Sequence, residues 1–352
     1  MCAVKRRAGD SVTDKPLVIS APDPRTLDLI FTPERRAQLE ARYRIVEAEA
    51  EAVRHLPDDV LGEARYIIGQ PPLDQAALTQ MGQLRCIFNV ESNLYLNMPY
   101  EVLFRRGIHV VTTGAVFAQP VAEIGLGFAL SLLRQISEAD ADFRAGVEKW
   151  GGDGNGRARL LTGAEVGILG FGDLGKAVAK VLTGFQPRLR VCDPWLAPSQ
   201  ILAAGAEPAD LSTVLSQSDV LFVTASVTSE NEGFLGEKAF AAMRPGAVFV
   251  LLSRAGVADF DALMAAVAAG HIVAASDVFP QEPLALDHPV RGMNGFLRSA
   301  HRAGALDVAF LRMGDMVLED MALIDRGLPP QLCKRAERET VSRMRSKPVA
   351  KN

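Results

Sequence analysis

The sequence predicts an α/β fold made of two parallel-sheet layers. Three observations carry that prediction. From Pro16 to about Thr113, short apolar runs alternate with helical stretches, and the alternation resumes after Asp193. A glycine turn, Gly170, Gly172 and Gly175, separates an apolar run from a helical one in the second half. Finally, 352 residues with 48% hydrophobic and 23% charged content suffice for two domains, each with its own core.

The elements follow in order. Leu17–Ile19 reads as a strand. Pro33–Arg42 reads as a helix, with Thr32 as N-cap and Pro33 at its first position, where no N–H is missed. Tyr43–Val46, Arg65–Ile68, Cys86–Phe88 and His109–Val111 are further strands. One long helix is expected from Pro120 to Gly146, connecting the domains. Its first half is apolar around most of its circumference and is therefore expected to be buried. Residues 151–156, GGDGNG, form a flexible turn. Val166–Leu169 is a strand that leads through the glycine turn and a helix to a second strand ending at Asp193. Strands then recur at 220–223, 248–252, 272–274 and 296–298, with helices near 236–243, 259–269 and 303–326. Residues 1–15 read as a disordered leader. The basic stretch Lys334–Lys351, with Arg335, Arg338, Arg343, Arg345 and Lys347, reads as a solvated tail or surface helix.

Composition excludes several function classes. A formal net charge of −4 asks for no nucleic-acid or anionic-membrane partner. Cys2, Cys86, Cys192 and Cys333 have no metal-ligand spacing, so no metal is expected. The N-terminus lacks the apolar core of a secretory signal, and no run of about 18 apolar residues suggests a membrane span. A cytoplasmic protein with reduced thiols is expected.

The segment VGILGFGDLGKAVAKVLTGFQPRLRVCD, residues 166–193, has the order strand, glycine turn, helix, strand, acid. That order suits a dinucleotide. Gly170 permits the tight turn, Gly172 lets backbone approach a pyrophosphate, and Gly175 lets the helix pack against the strand. The helix start offers free N–H groups and a positive dipole end to phosphates. Asp193 stands where a carboxylate accepts the ribose hydroxyls, and it disfavours a 2′-phosphate, so NAD is expected rather than NADP. Asp173, Leu174 and Thr224 complete the cofactor contacts expected around this turn.

Ketone–alcohol chemistry beside a nicotinamide needs a proton donor near neutral pH, a partner that keeps it charged, and a cation for the substrate. Arg254, Glu282 and His301 each fall just after a predicted strand, where α/β sheets place ligand-facing loops. His55, His109, His271 and His288 are given no role. The segments PVAEIGLGFALSLLRQI (120–136), GILGFGDLGKAVA (167–179), LSRAGVADFDAL (252–263), SDVFPQEP (276–283) and SAHRAG (299–304) together resemble the D-isomer-specific 2-hydroxyacid dehydrogenases, over roughly residues 60–325. Phosphoglycerate dehydrogenase-like and glyoxylate/hydroxypyruvate reductase-like enzymes are members of that family.

The resemblance implies a Rossmann NAD domain, residues 119–303, inserted into a flavodoxin-like substrate domain formed by residues 1–118 and 304–352, with hinges near Ala118-Gln119 and Arg302–Gly304. It implies that Arg254 clamps a 2-oxo acid and that His301 exchanges the proton. It implies that Glu282 orients the imidazole and raises its pKa, and that Asp277 contacts the nicotinamide carboxamide. It also implies a homodimer through the NAD domains. The sequence departs from the family pattern at Leu251, Ala255 and Ser299-Ala300. The largest departure is Phe88–Tyr95, FNVESNLY, where a glycine-rich carboxylate-binding loop is usual. Asn89, Ser92 and Asn93 are the polar contacts expected there instead, and Glu91 would repel an anionic substrate unless it points away. The alternative reading is an NAD-binding sensor or scaffold, like the corepressors that resemble this family.

Overall fold

The computed structural model describes residues 15–345. Cys2, the expected leader before Lys15, and the tail beyond Arg345 lie outside the described residues. The chain forms two compact units: Met1–Val116 with Leu306–Asn352, and Phe117–Ala305.

The first unit holds β1 (Leu17–Ser20), β2 (Arg44–Glu47), β3 (Ala64–Ile68), β4 (Cys86–Asn89) and β5 (His109–Thr112), alternating with α1 (Leu27–Ile30), α2 (Pro33–Arg42), α3 (Asp58–Glu63), α4 (Gln75–Gln80) and α5 (Tyr100–Arg105). The five strands are parallel in the order β5-β4-β3-β1-β2. This is the flavodoxin-like order, with its reversal of direction between β1 and β3. Helix α2 starts as its sequence dictates: the Thr32 hydroxyl accepts the Arg35 N–H at 3.2 Å. Leu17, Ile19, Ile67, Ile87 and Val110 fill the core beneath the helices.

The second unit begins with α6 (Ala118–Arg134) and α7 (Ile136–Ala145) and then alternates β6 (Glu165–Leu169), α8 (Asp173–Leu182), β7 (Arg188–Cys192), α9 (Pro198–Ala203), β8 (Glu207–Pro208), α10 (Leu211–Gln217), β9 (Val220–Val223), α11 (Glu237–Ala241), β10 (Ala247–Leu251), α12 (Phe260–Ala268), β11 (Ile272–Ser276) and β12 (Phe296–Arg298). The sheet order is β12-β11-β10-β9-β6-β7-β8, with parallel pairing throughout. This doubly wound arrangement reverses at β6, the strand that carries the glycine turn. Alternate strand residues fill two cores. Leu221, Phe249 and Leu251 pack on one face with Leu263 and Phe296, whereas Ile168, Phe222 and Val250 pack on the other with Ala122 and Val178.

Two expectations about the region after Thr113 are corrected. The single helix expected from Pro120 to Gly146 is broken at Gln135, which takes φ 54 and ψ 35 between α6 and α7. Both helices lie within the second unit rather than linking the two. Nor is the apolar first half wholly buried. Ala122, Gly125, Ala129 and Leu133 form one buried stripe, while the other faces stay partly open. By length and composition alone, the helical stretch Gly114–Arg134 could cross a membrane, with a mean hydropathy of 1.6 in its best window and 22% of that window buried. No uninterrupted apolar run signalled this, because glycines, Pro120 and Glu123 break it up. Its contacts with α8 and β10 are those of a helix covering a sheet.

The last segment returns to the first unit. Helix α13 (Asp307–Asp325) begins four residues later than expected, and β13 (Lys334–Arg335) and α14 (Arg338–Val341) follow. The basic stretch is therefore not simply a solvated tail. β13 adds an antiparallel edge strand to β5, and Ala336 and Val341 are buried. The wholly buried Asp320 carboxylate fixes the path by accepting the N–H groups of Gln331, Leu332 and Cys333 at 2.8, 3.1 and 2.8 Å.

Candidate active site

The glycine turn joins β6 to α8. Gly170 has φ +85, and a side-chain carbon there would lie 2.5 Å from the Ala225 backbone. One at Gly175 would lie 2.3 Å from the Gly170 carbonyl oxygen, whereas one at Gly172 would meet nothing within 4 Å. Thus two glycines are demanded by the chain itself. The bare backbone at Gly172, the N-cap of α8, leaves open space where a pyrophosphate would sit. Asp173 and Leu174 open that helix.

Asp193 stands just beyond β7. Its Oδ2 accepts the Phe171 N–H at 2.6 Å and its Oδ1 accepts the Trp195 N–H at 2.9 Å. The carboxylate is thereby locked beside the turn with acceptor capacity left on each oxygen. The Thr224 hydroxyl, after β9, donates to the carbonyls of Leu169 and Gly170 and so braces the same turn. These residues fit a dinucleotide.

Arg254, Glu282 and His301 follow β10, β11 and β12, on the same sheet edge as the glycine turn. His301 Nδ1 lies 2.5 Å from Glu282 Oε2, and Glu282 Oε1 accepts the Phe279 N–H at 2.8 Å. Burial works to raise the Glu282 carboxyl. The hydrogen bonds from His301 and Phe279, with the charges of His301 and Arg254, outweigh it and hold the group below the usual carboxylate range. Arg254 is thus near enough to act on Glu282. Its backbone is extended, and its Nη1 donates to the Ser253 carbonyl at 2.8 Å. Ala255, which replaces the family's glycine, has no positive φ, so its methyl group is tolerated.

His301 itself has φ 48, a left-handed conformation unusual for a residue with a side chain. Buried Asp277 enforces it. The Asp277 carbonyl accepts the His301 N–H at 2.7 Å, and its carboxylate oxygens accept the N–H groups of Arg302 and Ala303 at 3.1 and 3.0 Å. This bracing duty is not visible in the sequence, because it depends on a fold-back over 24 residues. The buried Ser253 hydroxyl has no hydrogen-bond partner among the described residues, which places an unsatisfied polar group next to Arg254. No cluster suited to a metal occurs among the described residues.

The glycine-free loop after β4 lies in the first unit. Gln70 is its hub. Its Nε2 donates to the Tyr95 carbonyl, Asn97 Oδ1 and Tyr100 OH at 2.8 to 2.9 Å, and its Oε1 accepts Asn89 Nδ2 at 2.7 Å. Asn89 is therefore a buried brace rather than an open contact. Asn93 Nδ2 donates to Ser92 Oγ at 3.2 Å, and both residues are only partly buried. Glu91 points inward, to an ion contact with Arg25 at 2.8 Å. Nothing in the sequence marked Gln70 or Arg25, since each meets the loop from a separate strand end.

Residues 126–303 match the profile described as "D-isomer specific 2-hydroxyacid dehydrogenase, NAD binding domain". The chain belongs to that family. NAD is accordingly the cofactor of the second unit. Within the family, the chain is 32% identical over 246 residues to a glyoxylate reductase of Thermococcus litoralis, covering 68% of this chain and 73% of that one. It is 27% identical over 300 residues to a D-3-phosphoglycerate dehydrogenase of Archaeoglobus fulgidus, covering 84% of this chain but only 55% of that protein's length. Among solved structures, a phosphoglycerate oxidoreductase from Rhizobium etli is 67% identical with a TM-score of 0.86, covering 93% of this chain and all of that one.

Proposed function

We propose that the protein is an NAD-dependent 2-hydroxyacid dehydrogenase that interconverts a D-2-hydroxy acid and its 2-oxo acid. The His301–Glu282 pair at 2.5 Å, in the same unit as the glycine turn, supports this reading most directly. Bound NAD supplies or accepts the hydride. Gly170–Gly175 would hold the pyrophosphate, with Asp173 and Leu174 opening the helix behind it. Asp193 would hold the ribose, and Thr224 and Asp277 would keep the surrounding loops in place.

His301 gives its Nε2 proton to the carbonyl oxygen in reduction and takes it back in oxidation. A carboxylate at Nδ1 requires a donor there, so Glu282 fixes the ring's orientation and tautomer. Arg254 presents its planar fork to the substrate carboxylate and carbonyl oxygen. The names of the relatives suggest small acids of two or three carbons, with or without phosphate.

A second reading, an NAD sensor or scaffold, is favoured by one observation: the 88–95 loop is tied by side chains instead of presenting glycine N–H groups. A panel of 2-oxo acids with NADH, followed by absorbance loss, separates the two. Consumption of NADH with at least one acid supports the dehydrogenase. Tight NADH binding with no consumption supports the sensor. The same panel with NADPH is expected to run slower, because Asp193 meets the 2′-phosphate.

We also infer a cytoplasmic homodimer formed through the second unit. Ile136, Phe143, Trp150 and Leu160 are 55%, 62%, 75% and 67% exposed there, on and just after α7. Phe143 and Trp150 pack edge to face at 6.4 Å. Such a concentration of exposed large apolar groups is what a self-complementary interface covers.

A further inference from the structure

The amino edge of the first sheet, where β3, β4 and β5 begin, has no part in the chemistry above. Backbone pairing lines up three basic side chains there. The Arg85 N–H donates to the Arg65 carbonyl and the His109 N–H to the Arg85 carbonyl, each at 2.9 Å. Arg65, Arg85 and His109 therefore head adjacent strands, and with Asp325 they line a cleft of about 490 Å³. His109 also lines an adjoining hollow of about 180 Å³, to which the returning C-terminal segment contributes Arg335 and Glu337. Strand β13 sets Arg335 opposite Val111 of β5. Part of the basic stretch that composition would leave in solvent is thus pinned beside His109.

Charge decides what such a cleft admits. Asp325 brings a carboxylate, but Tyr43 and Tyr66 donate to its two oxygens at 2.5 and 2.6 Å, and Arg65 pairs with it at 3.1 Å. Its charge is thereby matched within the cluster. Of the remaining charged groups lining the two hollows, Arg85 and Arg335 outnumber Glu337. Burial and the charge of Arg335 hold the His109 imidazole below its ordinary range, against the pull of the buried Asp320 carboxylate. At neutral pH the ring is a neutral N–H donor. Arginine forks from two different strands, together with that ring, suit a tetrahedral oxyanion, which offers oxygens in three directions where a carboxylate offers two in one plane. We propose that this edge binds a phosphate group, free or as a small ester, held by Arg85, His109 and Arg335. Once bound, the anion ties the C-terminal segment to the sheet. Every residue invoked belongs to the first unit, so the glycine turn and its cofactor take no part.

The test is calorimetric titration of the full chain with inorganic phosphate, glycerol 3-phosphate and malonate at constant ionic strength, with NADH present to fill the glycine turn. At least one of the two phosphates is expected to bind more tightly than malonate. Tighter binding of the ester assigns the site to a phosphorylated metabolite, and tighter binding of inorganic phosphate assigns it to the free ion. Arg85 and Arg335 are both exposed, so their replacement should leave the fold intact. Arg85→Gln and Arg335→Gln are each expected to raise the dissociation constant of the preferred phosphate by about tenfold, the worth of one charge-assisted hydrogen bond, with NADH affinity unchanged. Arg85→Lys should keep part of the affinity. Proton NMR of the His109 ring, identified by its loss in His109→Gln, supplies an independent readout: its pKa should rise when phosphate binds. Absent phosphate binding, malonate binding of equal strength, or full affinity in the double variant Arg85→Gln with Arg335→Gln overturns the proposal. So does a His109 pKa that phosphate leaves in place. None of these outcomes touches the dehydrogenase reading, which NADH consumption tests separately.

Discussion

At the scale of single residues, the proposed chemistry rests on the His301–Glu282 pair, and the pH behaviour of Glu282 follows from the sign of one shift. Glu282 titrates below the ordinary carboxyl range in the folded protein. Its contribution to stability is therefore present above its unfolded-state value and is lost as pH falls through the lower folded value. Thermal midpoints measured from neutral to acid pH should show this loss, and Glu282→Gln should flatten that part of the profile. The same variant is expected to slow turnover by about tenfold or more, because an amide no longer obliges Nδ1 to carry the proton and so no longer fixes the tautomer. Unchanged turnover would remove Glu282 from the account. Most of these residues could be picked out from the sequence because their motifs are local. The left-handed backbone of His301 could not, because the Asp277 carboxylate that enforces it reaches across from another strand.

At the scale of elements, the strands were legible and the helix breaks were not. Each run of apolar residues expected to be a strand from Leu17 to Arg298 became one, because buried parallel strands need little more than a short apolar run and a turn. The break at Gln135 lies in Arg134-Gln135-Ile136, with no glycine or proline to mark it. Gln135 pays a left-handed penalty that glycine would not, so Gln135→Gly should raise the thermal midpoint, by roughly 0.5–1 kcal/mol of stability. A lowered midpoint would show that the glutamine side chain itself holds the break. The strand β13 was missed for a related reason. Two residues carry no periodicity, and the Asp320 carboxylate holds the preceding residues from a distance. Asp320→Ala strands three backbone N–H groups and should cost about 3 kcal/mol in denaturant unfolding. A cost below about 1 kcal/mol would show that the segment is held by other contacts. At the glycine turn, Gly175→Val should disturb β6–α8 packing and weaken NADH binding, measured by fluorescence titration, since its side chain would collide with the Gly170 carbonyl.

At the scale of the whole molecule, the two parallel-sheet units could be read from alternation alone, while the exposed apolar surface of the second unit could not. Sequence reasoning buried the first half of α6 because hydrophobicity by itself does not say whether the covering surface belongs to the same chain. The proposed homodimer predicts that Phe143→Asp with Trp150→Asp yields a folded monomer by light scattering; an unchanged mass would place the interface elsewhere. The central claim is that an imidazole backed by a carboxylate moves the proton while NAD carries the hydride. The measurement that tests it most directly compares His301→Ala with the unsubstituted protein, for 2-oxo acid reduction and for NADH binding. The account predicts that kcat falls by about a hundredfold or more while the NADH dissociation constant is unchanged. Retained turnover in that variant, or NADH affinity lost in step with turnover, would contradict it.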